Sequence, residues 1–353
     1  MRYFTHEDSL KFYKDPQSFD KYTNKQTLKY AIGANMYMPG TQENIFDKLI
    51  HNKYHDIGAI TLCCEDAISE EMVPAAEENI LKILDSIYNS RNTITSDNLP
   101  LIFVRVRNVK QFNNFAQKLD KPKLQMLTGF NFPKFNSSNG REYLSILKNL
   151  SEKYTEIIYG MPILEDDNII YKETRLDELV KIQNILKEYD KYILNIRVGG
   201  TDFSSRFGLR RAINTPIYDV KVISDCLLDI LNIFLRTTEK YVVSGPVWEY
   251  FSWDESSPAI CGLKKELDLD IQNGFQGKTI IHPSQINIVN KKYIVDYDEY
   301  NDAINIINSS GGVFKGSGGN RMNEVAPHTE WARKIIARAK IFGVSDKEVT
   351  FAN

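Results

Sequence analysis

The stretch Ile193-Leu194-Asn195-Ile196-Arg197-Val198-Gly199-Gly200-Thr201-Asp202-Phe203 decides how the chain is read. A short apolar, β-prone run leads into two glycines and then an acid. That is the pattern of a buried strand that ends by delivering a carboxylate into a site. The pattern recurs upstream in Ile157-Ile158-Tyr159-Gly160-Met161-Pro162-Ile163-Leu164-Glu165. Two acids at the ends of successive apolar strands, with one helical segment between them, are arranged to hold one divalent cation side by side.

Outward from this pair, strands and helices alternate. Strands are expected at 31–38, 57–64, 101–106, 124–130, up to Glu165, up to Asp202, 241–245 and 277–282. Helices are expected at 42–50, 70–90, 109–119, 175–189, 217–235 and 257–273. Ile80, Ile83, Leu84 and Ile87 supply an apolar stripe in the second of these. Eight such units over about 250 residues are what a TIM barrel, the (β/α)8 fold, requires. A doubly wound sheet is the competing α/β arrangement, but no G-x-G-x-x-G follows the first strand. Barrel enzymes carry their chemistry at the C-terminal strand ends. Here those ends hold Glu65, Asp66, Arg105, Lys134, Glu165, Asp202 and His282.

Residues 1–29 read as an N-terminal extension, 30–290 as the barrel, and 291–353 as a C-terminal helical lid segment. Within that last part, a helix at 298–309 and one at 328–342 flank the glycine-rich Ser310–Gly319, a composition suited to a moving lid.

The chain has 353 residues, 42% hydrophobic and 25% charged, with a formal net charge of −2. That balance gives no general attraction to nucleic acid or to anionic membrane. No run reaches the length of an apolar membrane span. The first residues lack the apolar core of a signal peptide, so a cytoplasmic location is expected. Cys63, Cys64, Cys226 and Cys261 have no zinc-ligand spacing and read as reduced thiols with a packing role.

Taken in order along the chain, short motifs resemble the citrate lyase β-subunit and malyl-CoA lyase family of carbon–carbon lyases. Pro39-Gly40 followed by Asn44 is similar to the family's first βα turn. Leu62-Cys63-Cys64-Glu65-Asp66-Ala67-Ile68 resembles L-E-D-A-V, and Val104-Arg105-Val106-Arg107-Asn108 resembles V-R-V-N. Phe132-Pro133-Lys134 matches its P-K, Pro162-Ile163-Leu164-Glu165 its P-x-I-E, and Gly199-Gly200-Thr201-Asp202-Phe203 its G-x-x-D-L. Gly274 to Gln285 is the nearest run, and Met322-Asn323-Glu324-Val325-Ala326-Pro327 is similar to M-V-D-x-P. The chain departs at Gly33-Ala34, where the family carries an Arg-Ser pair whose arginine helps hold the anionic substrate. It looks like a divergent branch, similar to lyase-like proteins of tellurium-resistance gene clusters.

The resemblance implies a TIM barrel that uses Mg²⁺ held by Glu165 and Asp202. It also implies a small carboxylate substrate, free or as a coenzyme A thioester, and a homo-oligomer. Stabilising an enolate beside a carbonyl is the chemical demand, and a hard cation together with an arginine meets it. Arg105, Glu65, Asp66 and Glu324 are the expected catalytic groups. Arg105 also binds substrate in this reading, with Pro39, Gly40, Lys134, Gly200, Thr201 and His282. Glu324 stands where the family has an acid that reaches a neighbouring subunit to move a proton. Two alternatives stay open. One is the same metal barrel acting on a sugar- or nucleotide-linked acid, suggested by the aromatic loop around Trp248. The other is a non-catalytic assembly subunit.

Overall fold

A computed structural model of the chain describes residues 1–5, 10–51, 53–94, 98–236, 241–319 and 321–347. Its centre is eight parallel strands: β1 (Ala34–Pro39), β2 (Ala59–Cys63), β3 (Leu101–Arg105), β4 (Gly129–Phe132), β5 (Tyr159–Leu164), β6 (Ile196–Val198), β7 (Val243–Ser244) and β8 (Lys278–Ile280). They run in sequence order, with β8 pairing back onto β1. The ring closes where Gln276 donates to the Val243 carbonyl and Gly245 to that of Gly277, both at 2.8 Å. This is the (β/α)8 barrel.

The strands are buried on both faces, so their sequences are near-continuous apolar runs rather than alternating ones. The helix Val73–Ser90 covers the outside with Ala76, Ile80, Ile83, Leu84 and Ile87, a stripe at three- and four-residue spacing. Pro74 sits in its first turn, where a missing N–H costs nothing. Gly129 is required by packing. A Cβ there would lie 2.0 Å from the Tyr159 carbonyl oxygen on the next strand.

Two expected strand positions move. Lys121–Met126 is a helix, so β4 starts at Gly129 rather than at Leu124. The Asp120 side chain accepts from the Lys123 amide and Pro122 sets the first turn, which together start a helix the apolar run alone did not reveal. β6 ends at Val198, and Asp202 lies in the first turn of a short helix, Gly200–Ser205. Of the four cysteines, Cys261 is exposed, so the packing role holds only for the other three.

Segments from early and late in the described chain close the barrel's lower end. Phe12–Lys14 pairs antiparallel with Val344–Ser345, and Tyr3 stacks on Phe342 at 4.6 Å. Gly33 precedes β1 at this end, packed against Tyr3, Asn290 and Phe342. Six residues of strand, about 20 Å, separate it from the strand's C-terminal end. An arginine at position 33 would therefore not reach the groups gathered there. The helices Tyr297–Asn308 and Val325–Phe342 share a small core of their own, including Tyr300, Ile306, Ala332 and Ile335. The glycine-rich link between them contains a two-stranded hairpin, Val313–Lys315 with Met322–Glu324. Among the described residues, no helix is long and apolar enough to cross a membrane.

Candidate active site

At the C-terminal strand ends lies a cavity of about 330 Å³, lined by residues that include Asp66, Arg105, Glu165, Arg197, Gly199, Gly200, Thr201 and Asp202. Strand alternation explains the set. Register places Cys63, Arg105 and Asn131 in one row and Ile163, Arg197 and Ser244 in another, all facing the barrel axis. A larger groove of about 860 Å³ between the N-terminal segment and the helix Val325–Phe342 holds none of the expected site residues.

Arg105 organises the acids. Its Nη2 lies 2.6 Å from Glu65, 3.0 Å from Glu165 and 3.3 Å from Asp66. Burial alone would make the guanidinium easier to deprotonate, but Glu165 and Glu65 hold it firmly charged. Glu165 is 2% exposed and also accepts from the Lys134 amide at 3.0 Å. Burial is the main reason its carboxyl is pushed up to about 7. Arg105 opposes that shift, while Asp202 and Glu65 add to it. Glu65 is likewise raised by burial, against the pull of Arg105. For Asp66, a hydrogen bond with Glu65 and the nearby Arg105 and Lys134 outweigh partial burial and keep the carboxyl low. Asp66 thus lines the cavity and is the more open, whereas Glu65, buried against Arg105, is not part of its lining. Asp166, next to Glu165, instead caps the helix Asp167–Ile170.

Lys134 has a left-handed backbone, φ 47°, unusual for a residue with a side chain. This turn aims its amide at Glu165. Its ammonium lies 2.5 Å from Glu65 and 3.8 Å from both Asp66 and Asp202. Burial is outweighed by these acids, and the lysine is held more firmly protonated than usual. Gly199 makes room for the acid opposite: a Cβ there would fall 2.2 Å from Glu165 Oε2.

These residues fit a divalent cation. Glu165 and Asp202 line one cavity, and the protonated amine of Lys134 stands 3.8 Å from Asp202. Among the described residues, no three His, Cys, Asp or Glu side chains form a ready-made metal cluster. A two-carboxylate site suits magnesium, which keeps waters and substrate oxygens in its remaining positions.

Other expected residues lie elsewhere. Pro39 and Gly40 end β1, where the Gly40 amide donates to the Cys63 carbonyl, outside the cavity lining. His282 caps the turn Pro283–Gln285, bonds Ser284 and stacks on Phe251 at 4.2 Å. Burial lowers its pKa. Glu324 ends the hairpin, its amide donating to His328 Nδ1, and does not line this chain's cavity. Trp248 is fully buried, with its ring N–H on the Ala259 carbonyl at 2.8 Å, so it offers no stacking surface for a base or sugar. Gly262 gives its ring room. Arg197, which no motif marks, also lines the cavity. Its signal was an arginine at inward parity within an apolar strand.

A family model for carbon–carbon bond lyases of the TIM-barrel fold matches residues 26–344. Among solved structures, the CitE protein from Mycobacterium tuberculosis, in complex with magnesium, acetoacetate and coenzyme A, is 19% identical. The match covers 88% of this chain and 99% of that one, with a TM-score of 0.54. RipC from Yersinia pestis is 14% identical over 75% of this chain and 95% of that one, with a TM-score of 0.50. At these identities the likeness is one of fold. No curated protein matches the chain.

Proposed function

Because the chain belongs to the family of carbon–carbon bond lyases of the TIM-barrel fold, we propose that it is a magnesium-dependent lyase that cleaves or forms a carbon–carbon bond in a β-hydroxy acid or its thioester. The observation that carries this reading is the pairing of Glu165 with Asp202 across one cavity, with Arg105 and Lys134 set among the same acids.

Glu165 and Asp202 would hold the ion. When bound, magnesium would supply Lewis-acid stabilisation of negative charge on the oxygens of a chelating oxo acid. Arg105, fixed by Glu65 and Glu165, would meet the charge that develops on the substrate with a guanidinium that needs no reorientation. Lys134, whose ammonium already rests on Glu65, would hold that acid charged beside the site. Gly200 and Thr201, at the start of the short helix, would border the substrate. Glu324 would move a proton in the cavity of a neighbouring subunit, which requires a homo-oligomer. The CitE structure names coenzyme A as a ligand of that protein, which supports testing a coenzyme A thioester first.

The test is turnover. A β-hydroxyacyl thioester and its free acid are incubated with the full-length chain and Mg²⁺, and release of the oxo acid is followed. Expected is a reaction that EDTA stops and that Asp202→Ala abolishes. A protein that binds Mg²⁺ yet turns over neither substrate would favour the assembly-subunit reading.

A further inference from the structure

Arg197 is the charged group in the cavity that the roles above leave unused. It sits at the middle of β6 between Ile196 and Val198, and strand alternation turns it toward the barrel axis. It is 1% exposed and lines the same cavity as Glu165 and Asp202. Its Nη2 donates to the Thr279 hydroxyl, and the guanidinium lies 5.6 Å from the centre of the Tyr37 ring. Nε and Nη1 are buried and have no hydrogen-bond partner. Among the described residues, no carboxylate forms an ion pair with it, whereas Arg105 is matched by three acids and Lys134 by Glu65.

A buried arginine cannot shed its proton, and a buried charge without a counter-charge is unfavourable. Such a group persists when something outside the fold supplies the counter-charge. A guanidinium edge beside a hydroxyl, at the wall of a cavity of about 330 Å³, matches a planar carboxylate on a small molecule. Glu165 and Asp202 are already assigned to the cation, so Arg197 addresses a different part of the substrate.

We infer that Arg197, with Thr279 beside it, recognises a second carboxylate of the substrate, so that this enzyme acts on an acid carrying an anionic group beyond the one that chelates the metal. The inference rests on the reading of this cavity as the substrate site. It deepens that reading by making the substrate at least a dicarboxylate.

Malonate is a suitable small, unreactive dicarboxylate probe. Its binding to full-length wild type, Arg197→Met and Arg197→Lys is measured by calorimetry, once in EDTA and once with Mg²⁺. Arg197→Met should lose about tenfold or more in malonate affinity in EDTA, where neither carboxylate is drawn to a metal, with Arg197→Lys in between. The melting temperature of ligand-free Arg197→Met should equal or exceed wild type, because an unmatched buried charge has been removed. Should the methionine variant not fold, the same comparison is made with Arg197→Lys and Thr279→Val, each expected to weaken malonate. Malonate affinity unchanged in the variants that fold overturns the assignment. If the metal reading alone fails, the EDTA and Mg²⁺ titrations of wild type will coincide while the Arg197 effect remains.

Discussion

Lys134 Nζ lies 3.8 Å from Asp202 Oδ1 and 2.5 Å from Glu65 Oε1, an ammonium spanning acids from two different strand ends. Where a lysine stabilises acids in this way, it competes with any metal ion for them. Lys134→Met should therefore bind Mg²⁺ more tightly than wild type, by about tenfold at the effective dielectric of a partly buried site. It should also melt at a lower temperature in EDTA. Paired calorimetry and thermal melts check both, and weaker Mg²⁺ binding in the variant would show that the lysine supports the site rather than competing for it.

Glu165 sets the pH dependence. Its carboxyl is at about 7 in the folded chain against roughly 4.3 in an unfolded one, so between those values the folded state holds the extra proton. Stability of the metal-free protein should accordingly fall as pH rises through that window, and this contribution is gone above about 7. Magnesium must displace the same proton. Its affinity should rise about tenfold per pH unit below 7 and level off above, with close to one proton released per ion at pH about 6. Calorimetry in buffers of different ionisation heat reads that release. A flat affinity from pH 5 to 8 would contradict it.

Arg105 is buried against Glu65 and Glu165. Arg105→Gln leaves Glu165 without its counter-charge and Glu65 with Lys134 alone, and should destabilise the fold by about 3–5 kcal/mol at neutral pH. The loss should shrink near pH 5, where Glu165 is protonated. Denaturant unfolding at the two pH values tests this.

Gly199 fixes the position of Glu165. A methyl at residue 199 would fall 2.2 Å from Glu165 Oε2 and 2.5 Å from its Cβ. Gly199→Ala should therefore displace the carboxylate and weaken Mg²⁺ by about tenfold or more, the scale seen when groups that orient ligands are removed. A metal titration of the folded variant decides it.

The sequence made the barrel and its acids legible for one reason. A strand buried on both faces is an apolar run, and the first polar residues after it mark its C-terminal end, as at Leu164-Glu165 and Leu62-Cys63-Cys64-Glu65. The same rule misplaced β4, because the apolar Leu124 belongs to a helix whose start is signalled by Asp120 and Pro122 instead. Arg197 was hidden within such a run. Its importance depends on which residues fail to reach it, and spacing along the chain does not carry that information. The aromatic loop around Trp248 divides: Phe251 and Trp253 are exposed and Trp248 is not. The space beside Gly262 and the Ala259 carbonyl draw the Trp248 ring into the core, a tertiary effect that composition does not carry.

In the proposed mechanism Glu165 and Asp202 together hold one Mg²⁺. This is tested most directly by titrating Mg²⁺ into wild type, Glu165→Ala and Asp202→Ala in the calorimeter, with circular dichroism to show that each is folded. One ion per wild-type chain and a loss of at least about tenfold in each variant is the predicted result. Wild-type affinity in both variants would contradict it.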